Sequence, residues 1–584
     1  MPAVKSVLIA NRGEIAVRVI RAAHDLGLRA IAIYSELDRD AMHVDLADEA
    51  WNVGPAPSAE SYLNIDRILD VARESKADAI HPGYGFLAEN AGFARAVTEA
   101  GFTWVGPSPQ AIATMGDKIA SRIAAAEAGV STVPGTTEPL TDVAEVKAFA
   151  GEHGYPIAIK AAHGGGGKGL KVVWEEGDLE SAFEGARREA EAWFANPEVY
   201  VERYLDTPRH IEAQVIFDTH GNGVFLGERD CSLQRRHQKL VEETPAPGFT
   251  DEQRAKLGHA ALAVGRAAGY VNAGTVEFLL DTNGDLFFLE MNTRIQVEHT
   301  ITEETTGIDL VVEQLRVAAG EVLSFDSVER TGHAIEFRIN AEDPSSGFLP
   351  TPGKLSTYRE PAGPGVRVDS GVRQGSHISQ YYDNLIAKLV VRGRDREEAI
   401  RRAVRALTEF KIEGVRTTIP AHLQILQGPD FPAGNINTRI VEDSMDFSKL
   451  GTESSPAIPE DEELQEREIT VEVGGRRFEV KYWAQVIAST GSGQRPAPRR
   501  KAPKLTKEQS SGSGEGLVTA PMQGTIVKVH HSAGEAVREG DPVCVLEAMK
   551  MENEIKAPAS GDIVDLRVQP GDTVAAGAVL MVIK

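Results

Sequence analysis

Two glutamates that flank a short hairpin-like segment could hold a divalent metal ion. Between Glu277 and Glu290, two apolar runs surround the pair Asn283-Gly284, and Asn-Gly is the preferred centre of a two-residue type I′ turn. That turn pairs Glu277 with Glu290 directly across the hairpin. Carboxylates so placed repel each other unless a cation lies between them, and oxygen ligands suit Mg²⁺ or Mn²⁺. The alternative is two solvated glutamates that splay apart.

The residues after Glu290 could bind a small anion and move a proton. Side chains of an extended chain alternate between two faces, which places Glu290, Asn292, Arg294, Gln296 and Glu298 on the same face. An ordinary half-exposed strand alternates in the same way. Because this face begins at the predicted metal ligand, however, the guanidinium and the amide could hold an oxyanion such as bicarbonate, and the last carboxylate could act as a base.

A glycine-rich segment could close over phosphate groups. Glycines occupy positions 164–167 and 169 around Lys168, shortly after an apolar run that ends in Lys160. Successive glycines let backbone N–H groups approach phosphate oxygens without side-chain interference. The segment is not a Walker A loop, because Gly169 stands where Ser or Thr would follow the lysine. A flexible surface loop is the alternative, but the position directly after a Lys-terminated strand favours phosphate binding.

The last seventy or so residues contain an internal repeat. The segment 520–524 recurs as 557–561, and the same two glycine separations follow each copy. Such a repeat of short β runs predicts a small β-sandwich of two quasi-equivalent halves. Between the copies, the segment 547–552 is predicted to form a tight turn that presents Lys550. The alternative is an ordinary surface lysine between two packing methionines.

Length and composition set the frame for these motifs. With 584 residues the chain is too long for one core, and about three or four domains are expected. Cys231 and Cys544 are its only cysteines, which excludes a disulfide framework, and both are predicted to be packing residues. The net charge of −24 argues against nucleic acid or an anionic membrane as the main partner. We expect a cytoplasmic protein, because no apolar stretch has the length of a signal peptide core or a membrane span.

The composition changes after about residue 447. Before it, strand-like apolar runs alternate with amphipathic helical patterns, as is typical of α/β layers. After it come an acidic stretch, a strand pair around Gly474-Gly475 and a segment rich in Pro, Ala and basic residues. The last of these is predicted to be an extended tether.

The motifs together resemble a known family. Residues 1 to about 447 resemble biotin carboxylase, the ATP-grasp component of biotin-dependent carboxylases, and the segment 547–551 resembles the biotin attachment site of biotin carboxyl carrier domains. The whole chain is similar to the α subunit of bacterial, especially actinobacterial-type, acyl-CoA carboxylases. The carboxylase motifs that carry the resemblance are Ala10–Ala16, His81–Gly85, Glu228–Lys239, Glu290–His299 and Glu336–Asp343.

The resemblance implies an α/β ATP-grasp biotin carboxylase followed by a small all-β biotinyl/lipoyl-type sandwich. Its boundaries would be a Rossmann-like N-terminal domain at 1–115, an ATP-grasp domain at 116–330 with a lid at about 130–205, a C-terminal α+β domain at 331–447, a linker with a short β segment at 448–514 and a carrier at 515–584.

The resemblance also assigns roles to residues. Glu298 would be the base and Arg338 would stabilise the biotin enolate, with Lys239 and Arg294 as further catalytic residues. Bicarbonate would contact Lys239, Arg294, Gln296 and the backbone of Val297. The metal ligands would be Glu277, Glu290 and Asn292, and Lys550 would carry biotin. ATP would be bound by Lys118, Lys160, Gly165, Gly166, Gly167, Lys168, Glu202, Leu205, His210, Gln234 and His237.

The activity implied is ATP- and bicarbonate-dependent carboxylation of biotin on the chain's own carrier, through carboxyphosphate. A separate carboxyltransferase β subunit would pass the carboxyl group to acetyl-CoA or propionyl-CoA. Biotin protein ligase would attach the cofactor, and the carboxylase part would form a homo-oligomer. The alternatives are the same half-reaction serving pyruvate, a non-catalytic biotinylated scaffold, and an ATP-grasp ligase of another kind with a lipoyl carrier.

Overall fold

The computed structural model forms two compact units, residues 1–450 and 451–584. The described residues are 4–136, 138–161, 170–194, 196–450, 465–473, 476–484, 516–521, 524–548, 551–574 and 577–584. Among them, no helix combines the length and apolar character needed to cross a bilayer.

The chain begins with a parallel sheet and its covering helices. These elements are β1 (Ser6–Ile9), α1 (Gly13–Asp25), β2 (Arg29–Ser35), α2 (Met42–Leu46), β3 (Glu49–Gly54), α3 (Ile65–Glu74), β4 (Ala79–His81), α4 (Ala91–Glu99), β5 (Thr103–Trp104) and α5 (Pro109–Gly116). The strand order is β3-β2-β1-β4-β5, and all neighbours are parallel. β1 is buried along its whole length, as is typical of parallel strands covered on both faces. The predicted α/β alternation is confirmed.

A three-stranded antiparallel sheet follows. Its elements are α6 (Lys118–Glu127), α7 (Val143–His153), β6 (Ile157–Ala161), β7 (Lys171–Val173), α8 (Leu179–Phe194) and β8 (Val199–Arg203). The order is β7-β6-β8, with β6 in the centre. β6 is the predicted strand that precedes the glycine-rich segment. Residues 162–169 of that segment lie outside the described residues.

The largest element of the first unit is an antiparallel sheet of eight strands. Its strands and the helices between them are β9 (Arg209–Phe217), β10 (Gly223–Arg235), β11 (Gln238–Thr244), α9 (Asp251–Ala267), β12 (Asn272–Leu280), β13 (Leu286–Asn292), α10 (His299–Thr306), α11 (Leu310–Ala318), β14 (His333–Asn340), β19 (Val366–Ser370) and β21 (Leu385–Gly393). The order is β13-β12-β9-β10-β11-β14-β21-β19. One sheet therefore runs through the boundary predicted near residue 330.

Short strands and helices complete the first unit. They are β15 (Glu342–Asp343), β16 (Leu349–Pro350), β17 (Gly353–Lys354), β18 (Thr357–Arg359), β20 (His377–Ile378), α12 (Arg396–Glu409), β22 (Lys411–Glu413), α13 (Ile419–Gln427), α14 (Asp430–Ala433) and α15 (Ile440–Ser444). Helix α12 packs on β14 and β21.

The alternation of β9 explains the two faces of the large sheet. Ile211, Ala213 and Val215 belong to a hydrophobic core that also contains residues of α9. His210, Glu212 and Gln214 alternate with them. They are buried as well, and a period of two places them on the opposite face. Over residues 210–215, β9 thus presents one apolar face and one buried polar face.

The pairing of Glu277 with Glu290 is confirmed, but the predicted turn is wrong. Leu280 pairs with Leu286, so residues 281–285 form a five-residue loop, and only Gly284 of the Asn-Gly pair has a positive φ. A register shift between Glu277 and Phe278 adds one residue to β13, and this bulge brings Glu290 opposite Glu277. The longer loop and the bulge in β13 thus compensate for each other, and the predicted pair forms.

The prediction of one extended stretch through residue 298 is also wrong. Strand β13 ends at Asn292, and helix α10 begins at His299. Glu298 is the N-cap residue of that helix, with a ψ of 10°. The chain turns between Asn292 and Glu298, so the polar side chains of this segment converge by folding back rather than by strand alternation.

The second unit contains a hairpin and a β-sandwich. Its strands are β23 (Gln465–Val473), β24 (Arg476–Ala484), β25 (Leu517–Thr519), β26 (Gly524–Val529), β27 (Ala536–Val537), β28 (Pro542–Ala548), β29 (Met551–Lys556), β30 (Gly561–Leu566), β31 (Thr573–Val574) and β32 (Val579–Ile583). β23 pairs with β24 as predicted. Two four-stranded sheets, β25-β32-β30-β27 and β29-β28-β26-β31, confirm the predicted sandwich.

The repeat is visible in the backbone of the sandwich. Gly534 and Gly571, which correspond in the two copies, have φ angles of +92° and +98°. Gly540 and Gly577 also have positive φ. A backbone conformation that favours glycine therefore explains why glycine recurs. Lys550 and the adjacent Met549 lie outside the described residues, between β28 and β29.

Replacing a repeat glycine should loosen the sandwich. Gly571→Ala places a Cβ at positive φ, where nothing lies within 4 Å, so the cost is backbone strain of about 1–2 kcal/mol. Hydrogen exchange of the full chain should then be roughly 5–30-fold faster in peptides from 561–584. Lys528→Ala, at an exposed strand position, is the control and should change little. Unchanged exchange in the Gly571 variant would contradict the strain argument.

Candidate functional site

A row of ionisable side chains crosses four neighbouring strands of the large sheet. Glu290 pairs with Glu277, Glu277 pairs with Glu212, and Glu212 pairs with Arg229. Three adjacent carboxylates repel one another, and most of all when buried. Neighbouring side chains must therefore supply positive charge to stabilise these carboxylates.

Lys239, on β11, donates hydrogen bonds to three carboxylates. Its Nζ lies 2.6 Å from Glu212 Oε2, 3.1 Å from Glu277 Oε1 and 2.6 Å from Glu298 Oε1. Burial works against the ammonium, but these carboxylates raise the pKa of Lys239 well above its usual range. The lysine is therefore a fixed positive charge at the centre of the cluster.

Arg229 is fully buried and bonded through all of its nitrogens. Nε and Nη1 bind Glu212 and Gln214, each at 2.6 Å. The same guanidinium also reaches Thr302 of α10, Thr275 of β12 and, at 2.8 Å, Gln296. Its planar fork fixes strands and helix relative to one another.

Glu298 lies between two cations. Its Oε1 accepts from Lys239 and its Oε2 accepts from Arg338 Nη2 at 2.8 Å. Burial alone would raise the pKa of Glu298, but Lys239 and Arg338 lower it well below its usual range. The residue is an ionised carboxylate, buried to 2% exposure.

The segment before Glu298 contributes three more polar side chains. Asn292 and Gln296 each donate an amide hydrogen bond to Glu277 Oε1, at 2.9 and 2.8 Å. Arg294 donates to Asn292 Oδ1 at 2.8 Å and forms an ion pair with Glu89. The predicted anion-binding residues therefore surround the predicted metal-binding carboxylates.

Val297 is held through its backbone. Its carbonyl accepts a hydrogen bond of 2.9 Å from Nζ of Lys388, a fully buried residue of β21. Lys388 also forms an ion pair of 2.9 Å with Glu14 of α1. The peptide that links Val297 to Glu298 is thus fixed from behind the site.

His210 and Lys118 face the two glutamates of the hairpin. Nε2 of His210 lies 3.0 Å from Glu277 Oε2; burial lowers the pKa of His210, but Glu277 raises it above its usual value. Burial and the neighbouring Glu277 raise the pKa of Glu290, and Lys118 partly offsets this. A cation placed between Glu277 and Glu290 would remove their repulsion.

The small sheet holds a second group of predicted residues. Glu202 of β8 accepts from Arg122 at 2.8 Å and from Lys160 of β6. Glu202 is buried. The structure therefore brings two of the predicted ATP-binding residues together on adjacent strands.

The remaining predicted residues lie close in the fold to these two groups. Gln234 pairs with Lys239 across β10 and β11. His237 lies in the turn that joins these strands, and Leu205 is buried two residues after β8. Gly165, Gly166, Gly167, Lys168 and Lys550 lie outside the described residues.

Cys231 occupies a packing position, as predicted, rather than that of a nucleophile. It is fully buried, and burial raises the pKa of its thiol well above its usual range. A neutral thiol fits the packing role. Cys544 is buried in the sandwich, as predicted.

Sequence reasoning missed part of the buried charge. It did not single out Glu212, Arg229, Glu242, Glu336 or Lys388 as site residues. The period of two on β9 offered one signal, because Glu212 follows the predicted His210 by two positions. No local signal marked Lys388, whose partners are distant in sequence.

Four family models match the chain. Residues 3–112 match the biotin carboxylase N-terminal domain, and residues 117–325 match the ATP-binding domain of the carbamoyl-phosphate synthase L chain. Residues 336–443 match the biotin carboxylase C-terminal domain, and residues 516–583 match the model of biotin-requiring enzymes.

Relatives extend over the same regions. The biotin-dependent acyl-coenzyme A carboxylase alpha3 subunit of Mycobacterium leprae is 51% identical over a 592-residue alignment that covers 100% of this chain and 99% of that protein. A pyruvate carboxylase subunit of Methanothermobacter thermautotrophicus is 50% identical over an alignment that covers 79% of this chain and 94% of that protein.

A solved structure supports the same fold. The biotin carboxylase domain of the 2-oxoglutarate carboxylase of Hydrogenobacter thermophilus, a dimer with MgADP, ADP and bicarbonate, has a TM-score of 0.72 and 48% sequence identity. The match covers 76% of this chain and 98% of that chain.

These matches define the class of protein as an ATP-grasp biotin carboxylase joined to a biotin carrier domain. The chain belongs to the family of biotin-dependent acyl-CoA carboxylase α subunits. It is a ligase, and its biotin-requiring domain lies in the same polypeptide as its ATP-binding domain.

Removing the buried guanidinium should destabilise the first unit strongly. Arg229→Met leaves Glu212 without one of its two cations in a fully buried position, and breaking such a pair costs about 3–5 kcal/mol. Urea unfolding of the full chain, followed by circular dichroism, should show this loss. Arg229→Lys keeps the charge without the planar fork and should fall between the unaltered protein and the methionine variant.

The matched control is an arginine in an exposed ion pair. Arg401 pairs with Glu397 on α12, and both side chains are more than half exposed. Arg401→Met should change the free energy of unfolding by at most about 0.5 kcal/mol. Equal effects of the two methionine variants would show that burial of Arg229 carries no special weight.

Proposed function

We propose that this chain carboxylates biotin held on its own Lys550, using ATP and bicarbonate, and that Glu298 is the base. The observation that carries the proposal is the position of Glu298 between Lys239 and Arg338, beside the Glu277–Glu290 pair. A buried carboxylate between two cations, next to a metal-binding pair, is suited to an anionic substrate that must lose a proton.

The two cations also explain how the base becomes active. While Lys239 and Arg338 bind Glu298, they hold its pKa low, and a carboxylate of low pKa is a weak base. Bicarbonate bound to Lys239 would compete for the positive charge that now stabilises Glu298. The pKa of Glu298 would then rise, so substrate binding itself strengthens the base.

Bicarbonate has a matching set of donors. Lys239, Arg294 and Gln296 all contact the same small group of acceptors around Glu277 and Asn292. A guanidinium, an ammonium and an amide provide charge and direction for a planar oxyanion. The related structure from Hydrogenobacter thermophilus was solved with bicarbonate, which supports this assignment.

Glu277 and Glu290 are proposed to hold Mg²⁺ or Mn²⁺, with Asn292 beside them. Their oxygen atoms suit a hard divalent cation, which would supply charge neutralisation for the nucleotide phosphates. Lys118 interacts electrostatically with Glu290, and its ammonium would add positive charge for the phosphates. His210 would orient Glu277 through their short contact.

The nucleotide is proposed to lie between the two sheets of the ATP-grasp part. Lys160 and Glu202 would bind it from the small sheet, where they already pair, and Gln234 and His237 would bind it from β10 and the following turn. Residues 164–169 would cover the phosphates. The segment 130–205 would be the closing lid that excludes water.

Arg338 is proposed to stabilise the negative charge that develops on the ureido oxygen of biotin. Its guanidinium is 19% exposed although its carboxylate partners, Glu242 and Glu298, are buried. It is therefore a cation that a substrate can approach. Biotin supplies the ureido nitrogen that accepts the carboxyl group, and the chain supplies the fixed charge.

The acceptor and the partners follow from the family. We propose that a separate carboxyltransferase β subunit passes the carboxyl group to acetyl-CoA or propionyl-CoA in the cytoplasm, and that biotin protein ligase modifies Lys550. The full-length match to an acyl-CoA carboxylase α subunit favours this over pyruvate, because the match to the pyruvate carboxylase subunit covers 79% of the chain. A homo-oligomer through the carboxylase part is proposed from the related dimer.

Purified full-length protein tests the half-reaction directly. ADP release with ATP and Mg²⁺ should require bicarbonate and increase further with free biotin. Protein that binds ATP but shows no stimulation, alone or with candidate β subunits, would contradict the proposal and favour a non-catalytic scaffold.

Glu298→Gln should abolish the bicarbonate-dependent rate while ATP still binds. The amide keeps the size of the side chain but cannot take a proton, so the loss should be roughly 10²–10⁴-fold. The exposed Glu397→Gln is the control and should retain the rate. Near-normal turnover of the Glu298 variant would mean that another residue is the base.

Lys550→Arg should separate the carrier from the carboxylase. The variant should lose avidin binding, because its guanidinium is not a substrate for biotin attachment. ADP release stimulated by free biotin should persist, since the site lies in the first unit. Avidin binding that persists would move the attachment site to another lysine.

A further inference from the structure

Arg338 is held by two carboxylates, which differ in their surroundings. Its Nε donates to Glu242 Oε1 at 2.6 Å, and its Nη2 donates to Glu298 Oε2 at 2.8 Å. Its backbone carbonyl accepts from Thr418 Oγ1 at 2.7 Å and lies 2.9 Å from Nε2 of His422. Helix α13 and the residue before it therefore hold the backbone of Arg338, and two carboxylates bind its guanidinium, one at Nε and the other at Nη2.

Among the described residues, Glu242 has one hydrogen-bond partner, Arg338. Glu298 is shared between Lys239 and Arg338, but Glu242 is fully buried and its second oxygen has no hydrogen-bond partner within the described part of the chain. Glu242 lies on β11, directly opposite Glu336 of β14. It is the rear support of Arg338 rather than part of the proposed bicarbonate site.

The neighbouring carboxyl of Glu336 influences whether Glu242 is ionised. Burial raises the pKa of Glu336 well above its usual range, although Lys388 opposes this. Burial also raises the pKa of Glu242, to about 7, against the effect of Arg338. Two buried carboxyls so close hold one proton between them, and the proton stays on Glu336, which leaves Glu242 to pair with Arg338.

We propose that Glu242 is a positioning residue that anchors the Nε edge of Arg338 while the Nη2 edge exchanges Glu298 for biotin. The inference rests on the role proposed above for Arg338. With Glu242 in place, releasing Glu298 breaks one charged hydrogen bond and keeps the other. Without it, the freed guanidinium would lose its orientation at the moment when biotin needs it.

The arrangement also predicts a pH dependence confined to the biotin-dependent step. The titratable and charged groups around Glu242 are Arg338 and Glu336 from β14, Glu298 at the start of α10, Cys231 from β10, and Lys239 from its own strand. As the pH falls through about 7, Glu242 takes up a proton and its hold on Arg338 weakens. Biotin stimulation should therefore decline on the acid side before bicarbonate-dependent ADP release does.

Variants of the full chain test the anchor with two rate measurements, ADP release with bicarbonate alone and with free biotin added. Glu242→Ala should lose about 10–100-fold of the biotin-stimulated kcat, as is typical of supporting residues, and should keep the KM for ATP. Glu242→Gln retains an acceptor but cannot ionise, so it should lose less and flatten the acid limb of the pH profile.

Glu336→Gln is the matched control. It makes the same change on the same face of the adjacent strand, yet it leaves the contact between Glu242 and Arg338 in place. Biotin stimulation should be retained and its acid limb should stay in place, because the amide resembles the protonated carboxyl that Glu336 already carries. Loss of stimulation equal to that of Glu242→Ala would overturn the proposal.

A double-mutant cycle distinguishes positioning from an independent role. If Glu242 acts only through Arg338, then Glu242→Ala combined with Arg338→Ala should be no slower than Arg338→Ala alone. Losses that multiply, or full biotin stimulation in Glu242→Ala, would overturn the anchor while leaving the proposed function intact. Absence of biotin stimulation in the unaltered protein would contradict the proposed function and the anchor together.

Discussion

The first unit depends on the neutralisation of buried charge. Each ionised group taken out of water costs several kcal/mol unless a partner of opposite sign meets it with good geometry. Glu212, Arg229 and Lys388 are completely buried, and Glu298 is nearly so. Because their partners come from different strands and helices, the cluster can form only when the whole sheet is in register. Because each buried charge must meet a partner of opposite sign, burial of the site is costly, and few arrangements of these side chains satisfy that condition.

Lys388 shows how far this restraint reaches. It lies on β21, yet it fixes the carbonyl of Val297 and pairs with Glu14 at the start of α1. Tyr84 also donates to Glu14. The segment that precedes Glu298 is thus tied to the parallel sheet at the beginning of the chain. An isolated part of the first unit would lack some of these contacts. The site therefore depends on residues from several of the regions that the family models match separately.

Much of this fold could be predicted from the sequence, and the misses have a common cause. Apolar periodicity predicted the α/β layers and the repeat predicted the sandwich, since both depend on local patterns. The pairing of Glu277 with Glu290 was predicted from a turn that does not form; a bulge in β13 restored the register. Partners such as Arg229 and Lys388 could not be predicted, because their contacts join residues that are distant in sequence and that follow no period.

In the hairpin between β10 and β11, the register of the strands prevails over the backbone preference of the turn residues. Arg236 and His237, the two residues between the strands, have φ angles of 46° and 64°, as the central residues of a type I′ turn do, whereas Asn283-Gly284 does not adopt that turn. Positive φ at two non-glycine residues costs about 1–2 kcal/mol each. The sheet enforces this conformation because Gln234 must face Lys239 across the strands. Asn-Gly would relieve the strain, but it would remove His237, a proposed nucleotide-binding side chain. The strained turn therefore keeps the register of β10 and β11 and also keeps the side chain of His237 at the site.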